Sequence, residues 1–299
     1  MTLAHGALQP VVSDRALERS AEPEGTNVRT SIILRRLRQH VVSIVRQDYV
    51  MYQQVVLPPP ALRKCDAAYR DDRYFLQAAQ READRVIQRC GVTRHSRILE
   101  VGCGPGRLPI GLLTRHVEPA QYWGIDVQLR SIQWCQRYLT RTHPTLQFRH
   151  LNVHNLRYNP SGERFDASFR FPFPAGAFDL IYLYSVFSHM ISAEIRVYLH
   201  DFYRLLGRTG RLCFTGFLEG GVPGMTSNPP GYRGSYQGPL HCVRYNKAFV
   251  AAMLQEAGFA VERCEYASEP DGQSVVYAVP QEVEQTSPTC PGSSSRLVT

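Results

Sequence analysis

Lysine is almost missing from this chain: of 34 basic residues only Lys64 and Lys247 are lysine, and the rest are arginine. A formal net charge of +8 would suggest a phosphate-binding face if it were clustered, but the arginines are scattered, which fits a coding bias better than a nucleic-acid surface. One dense cluster remains, at Arg35, Arg36 and Arg38. Paired cysteines are missing too. The eight cysteines, at 65, 90, 103, 135, 213, 242, 264 and 290, form no CxxC and have no histidine at zinc spacing, so no metal site is expected and they read as reduced core thiols. No apolar run is long enough to span a membrane, and Asp14, Glu18, Glu22 and Glu24 stand where a signal peptide would be basic and apolar. A cytoplasmic location is expected. With 43% apolar residues, the chain has an ordinary globular composition.

Residues 1–28 are polar and acidic without periodicity, and residues 281–299 are rich in Ser, Thr and Pro, so both are expected to be disordered tails. From Ser31 to about Gln53 apolar residues recur at helical spacing (Ile33, Leu34, Leu37, Val41, Val42, Val45), predicting an N-terminal helical extension over 29–70 with a stop at Pro58, Pro59 and Pro60. Its basic face suits either a membrane surface or partner, or a fixed element packed over a site or between the subunits of a homo-oligomer. Neighbouring carboxylates and the proline stop favour the fixed element. A second helix is predicted from Asp72 to Arg89.

Strands are then predicted at 97–101, 121–126, 146–151, 178–184, 210–217, 259–267 and 273–279, with helices at 106–116, 128–140, 192–206 and 246–257 between them. Such alternation is that of an α/β domain, here 71–280, with a mostly parallel sheet covered on both faces. Only Glu269, Pro270, Asp271 and Gly272 join the last two strands, which predicts a hairpin and one antiparallel strand at the sheet edge. Residues 218–245 are rich in Gly and Pro and carry Tyr232, Tyr236, His241 and Tyr245. They read as a substrate lid or as an insertion that covers a helix.

What is present in strength is one motif. Ile98 to Arg107 reads Ile-Leu-Glu-Val-Gly-Cys-Gly-Pro-Gly-Arg, an acid two residues before GxGxG at the carboxyl end of an apolar strand. Glycines there let the backbone turn sharply and approach a ligand, at the end of the sheet where open α/β folds bind nucleosides. The third glycine comes one residue too early for a dinucleotide fingerprint, and no Gly-Lys-Ser or Gly-Lys-Thr follows for a P-loop. Asp126 ends the next strand in Tyr-Trp-Gly-Ile-Asp, where a carboxylate accepts ribose hydroxyls, and Val127 would lie against a base.

Together these residues resemble the class I S-adenosylmethionine-dependent methyltransferases, over about 70–280 and in the bacterial small-molecule branch of type 11 or 12 domains. The resemblance implies a Rossmann-like, doubly wound sheet of seven strands in the order 3-2-1-4-5-7-6. It implies that Glu100, Gly102, Cys103, Gly104 and Gly106 cradle the methionine part of the cofactor, that Asp126 holds its ribose and that Val127 meets adenine. At the third strand's end the family's Asp has become Asn152, whose side-chain oxygen can still accept from the adenine amine, with Val153 beside it. After the fourth strand Tyr184 is expected to touch the cofactor, and Ser185-Val186-Phe187-Ser188-His189-Met190 is similar to the Ser-Val-Phe-Thr-His-Leu element of some small-molecule enzymes. Leu57-Pro58-Pro59-Pro60 and Tyr158-Asn159-Pro160 add smaller parallels.

Methyl transfer from a sulfonium is an in-line displacement that depends chiefly on positioning. If the acceptor is a hydroxyl, His189 is the candidate base, against the alternative that it caps or packs the helix beginning near Ser192; His154 and Tyr184 are weaker candidates. The expected partner is therefore a small molecule, an oxygen of a sugar-like or secondary-metabolite acceptor. The nucleic-acid alternative has only Asn228-Pro229-Pro230-Gly231-Tyr232, which follows the wrong strand and is interrupted by Gly. Paired glutamates for an arginine substrate do not follow strand four, and the cysteine nucleophile that cytosine carbon methylation needs near strand four or five is not expected of Cys213, which reads as buried in its strand. A noncatalytic cofactor-binding module would be favoured by a spoiled glycine turn or a lost Asp126, and both are intact.

Overall fold

Two antiparallel strands, β1 (Val50–Tyr52) and β2 (Val55–Leu57), open the region that a computed structural model of the chain describes, residues 48–64 and 66–281. Gln53 and Gln54 join them with φ of 48° and 64°, the left-handed pair of a type I′ hairpin turn. The hairpin corrects the expected helix over its last residues: β-branched Val50, Val55 and Val56 suit a pleated surface, and the pairing satisfies their backbone. Two 3₁₀ turns follow, Pro60–Leu62 and Ala67–Arg70, so the described part of the expected helical extension is a strap of strand and turn. Proline at the first position of one turn and Asp66, which accepts from the Ala68 N–H at 3.0 Å, at the start of the other explain where they begin. The arginine cluster and the helical period at 31–45 lie outside the described residues.

Helix α1 (Asp72–Cys90) starts at Asp71, whose side chain accepts from the Tyr74 N–H at 2.8 Å, and stops at Gly91 in a left-handed conformation. Its buried face, including Phe75, Ala79, Ala83 and Val86, lies against helix α2 (Arg107–Thr114). Gly111 makes that approach possible, because a Cβ there would run into the carbonyl of Ala79. Alternation continues with β3 (Arg97–Val101), β4 (Gln121–Asp126), helix α3 (Leu129–Cys135), β5 (Leu146–His150), β6 (Phe178–Leu183), helix α4 (Ser192–Leu205), β7 (Leu206–Glu219), β8 (Met225–Ser227), β9 (Val243–Asn246), helix α5 (Lys247–Glu256), β10 (Phe259–Glu265) and β11 (Ser274–Pro280).

The main sheet runs β10-β11-β7-β6-β3-β4-β5, which is the expected order with β3 as strand one. β3, β4, β5, β6 and β7 are mutually parallel, and β11 is antiparallel to both of its neighbours. The antiparallel strand is thus second from the edge rather than at it; β10 forms the edge. A strand with neighbours on both sides has its backbone groups paired, and β11 is buried from Ser274 to Ala278 while β10 is mostly exposed. Two further strands depart from the expected seven: β9 runs parallel to the end of β7, and β8 pairs with β9. They fall in the stretch read as an irregular lid and leave 228–242 between them.

Successive residues of the central strands point to opposite faces. Ile98, Tyr122 and Leu180 face the core shared with α1 and α2, while Leu99, Ile125 and Ile181 face the core shared with α4 and α5. Burial on both faces is why β3 and β6 read as nearly continuous apolar runs. Among the described residues no helix is long and apolar enough to cross a membrane, and no His, Cys, Asp and Glu group is arranged to hold a metal ion. Cys90, Cys103, Cys135, Cys213, Cys242 and Cys264 are free thiols.

Candidate functional site

The carboxyl ends of β3, β4 and β6 meet at an open cleft, lined from them by Val101, Asp126 and Tyr184. The chain leaves β3 in a turn held to β4, where the Gly102 and Cys103 N–H groups donate to the Ile125 carbonyl at 2.8 and 3.1 Å. Gly102 and Gly104 both have positive φ, 78° and 51°, but for different ends. A Cβ on Gly102 would strike the Val186 side chain, whereas one on Gly104 would meet nothing within 4 Å and project into the cleft. Gly104 is therefore where a ligand can come up against bare backbone.

Asp126 faces this turn from the end of β4 and is 8% exposed. One carboxylate oxygen accepts from the Gly104 N–H and the other from the Gln128 N–H, each at 2.7 Å. Each oxygen keeps a second acceptor site, so the group is fixed in place and still able to receive two hydroxyls. Burial raises its pKa, opposed by the two N–H donors and by His150 and Lys64. Val127, Leu151 and Val153 supply apolar lining beyond it. Behind the turn Glu100 accepts from the Tyr122 hydroxyl, and burial pushes its carboxyl up to about 8 against that hydrogen bond. Glu100 and Cys103 open on a smaller inner pocket with Arg63, Arg107 and Tyr184. Arg63 is held there by the carbonyls of Pro58, Tyr69 and Arg70 and by Asp72.

The opposite wall comes from the end of β6. Ser185 has φ of 57°, an uncommon conformation for a side-chain-bearing residue and one found where a site constrains the backbone. Its N–H donates to the Thr215 hydroxyl at 2.7 Å and its own hydroxyl lies 2.9 Å from that of Ser188. His189 follows, with Nδ1 3.0 Å from the Leu240 carbonyl oxygen and its ring edge-on to Tyr158 at 5.2 Å. Nδ1 therefore carries the proton. Burial drives its pKa down to about 4, so the ring is neutral at ordinary pH.

Gly104, Asp126, Val127, Val153, Tyr184 and His189 come together in the cleft, and Gly102 lines it as well. Asn152 does not. It is exposed, its amide donates to Glu163 at 3.4 Å and its oxygen accepts from Asn159 at 3.2 Å, so local hydrogen bonds turn it away while Leu151 and Val153 face in. Gly106 begins α2 and faces Leu139, 2.7 Å from where its Cβ would be, and lines none of these cavities. The stretch 218–245 contributes no cleft-lining residue; it reaches the site through the Leu240 carbonyl on His189. Tyr232 and Tyr236 bond within it, Tyr232 to Glu219, and Tyr245 is buried with its hydroxyl donating to the Met190 carbonyl. Sequence reasoning missed Leu62 and Lys64 of the strap, and Tyr158, Glu194 and Tyr198. Lys64 had a signal, being one of two lysines in an arginine-rich chain, and Tyr158 had one in Tyr158-Asn159-Pro160; Leu62, Glu194 and Tyr198 had none.

Residues 99–212 match the family model described as a methyltransferase domain. Among solved structures, a protein from Pyrococcus horikoshii OT3 superposes with a TM-score of 0.51 at 13% identity, over 74% of this chain and 96% of its own. A SAM-dependent methyltransferase from Aquifex aeolicus aligns with a TM-score of 0.44 at 16% identity, over 66% of this chain and 89% of its own. The glycopeptide N-methyltransferase MtfA, solved with sinefungin, aligns with a TM-score of 0.48 at 13% identity, over 68% of this chain and 94% of its own.

Proposed function

We propose that this chain, whose residues 99–212 form a methyltransferase domain of the class I, S-adenosylmethionine-dependent kind, methylates an oxygen of a small, sugar-like or secondary-metabolite acceptor. The observation that carries the reading is the pairing of Gly104, bare towards the cleft, with an Asp126 carboxylate held by two N–H donors beside it. A nucleoside fits that pair: ribose hydroxyls on Asp126, the base among Val127, Leu151 and Val153, the amino-acid end along Gly102 and Gly104 towards Glu100. When bound, the cofactor supplies a methyl group on a positively charged sulfur.

The protein's part is to align an acceptor oxygen behind that methyl group, so that the carbon–oxygen bond forms as the carbon–sulfur bond breaks and the hydroxyl proton departs. His189 is our candidate for the proton's destination. Its low pKa keeps the ring in the base form, and makes it a weak base, which suits a reaction whose barrier is set by alignment. The stretch 218–245 is proposed to act on the site through its Leu240 carbonyl, which fixes the imidazole. A reducing, cytoplasmic setting fits the six free thiols among the described residues, four of them buried.

Titration calorimetry with S-adenosylhomocysteine tests the donor site. Asp126→Ala should weaken binding by at least tenfold, the value of one lost charge-assisted hydrogen bond, about 1.5–3 kcal/mol. Equal affinity in the variant and the unaltered protein would remove the assignment.

A further inference from the structure

A second pocket adjoins the donor cleft. It lies between Asp66 with the Ala67–Arg70 turn on one side and Pro270–Asp271, in the connection from β10 to β11, on the other. The rings of Tyr69, Tyr74 and Tyr184 form its walls, and Ser185 completes them. Tyr184 and Ser185 also line the donor cleft, so the two cavities meet at these residues.

A buried amide organises the meeting point. Gln273 is 1% exposed, and its Oε1 accepts from the Thr215 hydroxyl at 2.9 Å. Its Nε2 donates to the Ser185 hydroxyl at 2.9 Å and to the Asp271 carboxylate at 2.7 Å, and its backbone N–H donates to the other Asp271 oxygen at 3.0 Å. Every side-chain N–H of a core glutamine is thus spent on fixing one hydroxyl and one carboxylate that line the same pocket. The wall between the cavities is fixed as well. Tyr184 donates to Glu269 at 3.0 Å, and the Arg107 guanidinium stacks on its ring at 4.3 Å.

The charge of the pocket has one sign. Asp66 faces Asp271 across it, and among the described residues that line it none is basic. Arg233 lies nearby on the Asp271–Gly272 turn, where it donates to the Asp271 backbone carbonyl at 3.0 Å and leaves the carboxylate to Gln273. The rings of Tyr69 and Tyr184 are stacked by Arg107 and that of Tyr74 by Arg81, so it is the Asp66 and Asp271 carboxylates that suit a cation with N–H groups to donate.

We propose that this pocket is the acceptor site and that it takes a small hydroxylated molecule anchored by a protonated amine, with the ammonium between Asp66 and Asp271 and the reacting hydroxyl at Ser185. The amine stays protonated and is not the group methylated. The inference rests on the donor assignment above, since the hydroxyl must face the methyl group across the Tyr184–Ser185 junction.

Saturation-transfer NMR at pH 6.5, on the full chain saturated with S-adenosylhomocysteine, tests it with two matched pairs: glucosamine against glucose, and tyramine against tyrosol. The amine of at least one pair should bind tenfold or more tighter than its neutral partner, and the preference should fall away in Asp271→Asn and at 0.5 M salt. Gln273→Leu, which frees Asp271 and Ser185 from their fixings, should reduce the preference with the carboxylate still present. Equal binding within both pairs, binding of neither amine, or a preference untouched by Asp271→Asn would overturn the proposal. S-adenosylhomocysteine affinity is measured in the same samples. Its retention in the unaltered protein with no amine preference there rejects the acceptor site alone; its absence in the unaltered protein rejects the donor reading.

Discussion

His189 keeps a neutral ring at the wall of the cleft, and that neutrality has a thermodynamic cost in acid. The folded-state pKa is about 4 against an ordinary 6.5, because burial disfavours the imidazolium. Above pH 6.5 neither folded nor unfolded chain binds this proton, and the group has no effect. Between about 6.5 and 4 the unfolded chain is protonated first, so stability drops as pH falls, by at most about 1.4 kcal/mol per unit, and less for a ring partly open to solvent. Urea unfolding at pH 7, 6 and 5 should show this decline, and His189→Gln should flatten part of it. An unchanged slope in the variant would mean that the ring is better solvated than its surroundings imply. The same residue tests catalysis: if it takes the acceptor's proton, His189→Ala lowers kcat much more than cofactor affinity, whereas a packing role lowers both. At this scale the sequence was readable where a residue type has one use. An acid before three spaced glycines, and an acid after Gly-Ile, pointed to positions 100–106 and 126, and the structure brings Gly104 and Asp126 into hydrogen-bonding contact. Asn152 was misread because an amide has several partners to choose from, and Glu163 and Asn159, close in sequence, captured it.

Elements were legible where apolar periodicity was long. The seven main strands and the helices between them fall within a few residues of their expected limits, because a strand buried on both faces has little freedom of composition. The hairpin of β1 and β2 was hidden for a local reason: type I′ turns favour Asn-Gly, and this one is built from Gln53-Gln54, which carry no turn signal. The helical spacing upstream then ran on unchecked into Gln53. The contact of α1 with α2 was equally silent, since a glycine inside a helical pattern ordinarily counts against the helix. Gly111 is there because the helices touch backbone to backbone, so Gly111→Ala should destabilise the protein by about 1–3 kcal/mol despite alanine's better helix propensity. A thermal melt decides; a variant as stable as the parent would show that α2 can slide away from Ala79 without loss.

At the scale of the whole molecule the parts of the site are tied together by buried charge. Glu269, in the connection between β10 and β11, accepts from Arg85 of α1 and from Tyr184 at the end of β6, and Arg85 also donates to Tyr182 at 3.4 Å. Three elements far apart in sequence therefore meet on one carboxylate. Glu269→Ala leaves the mostly buried Arg85 without its counter-charge and should cost about 3–5 kcal/mol, read by denaturant unfolding, whereas Glu269→Gln keeps a partner for Tyr184 and should cost less. Equal, small losses in both would mean that water reaches Arg85. No pattern in the sequence announces such a contact, because an isolated Arg, Tyr or Glu reads as surface until the fold brings them together.

The direction of β11 has a consequence for how such a protein can change. Since it returns antiparallel beside β7, the connection from β10 is delivered to the same rim of the sheet as Gly104 and Asp126, although it is encoded some 140 to 170 residues later. The proposed methyl-donor site is written in one stretch of the chain and the proposed outer wall around Pro270 and Asp271 in a hairpin bend of a few residues. Replacements or insertions in that bend can exchange one acceptor for another while the donor's surroundings are inherited intact, so diversity among proteins built this way should concentrate there.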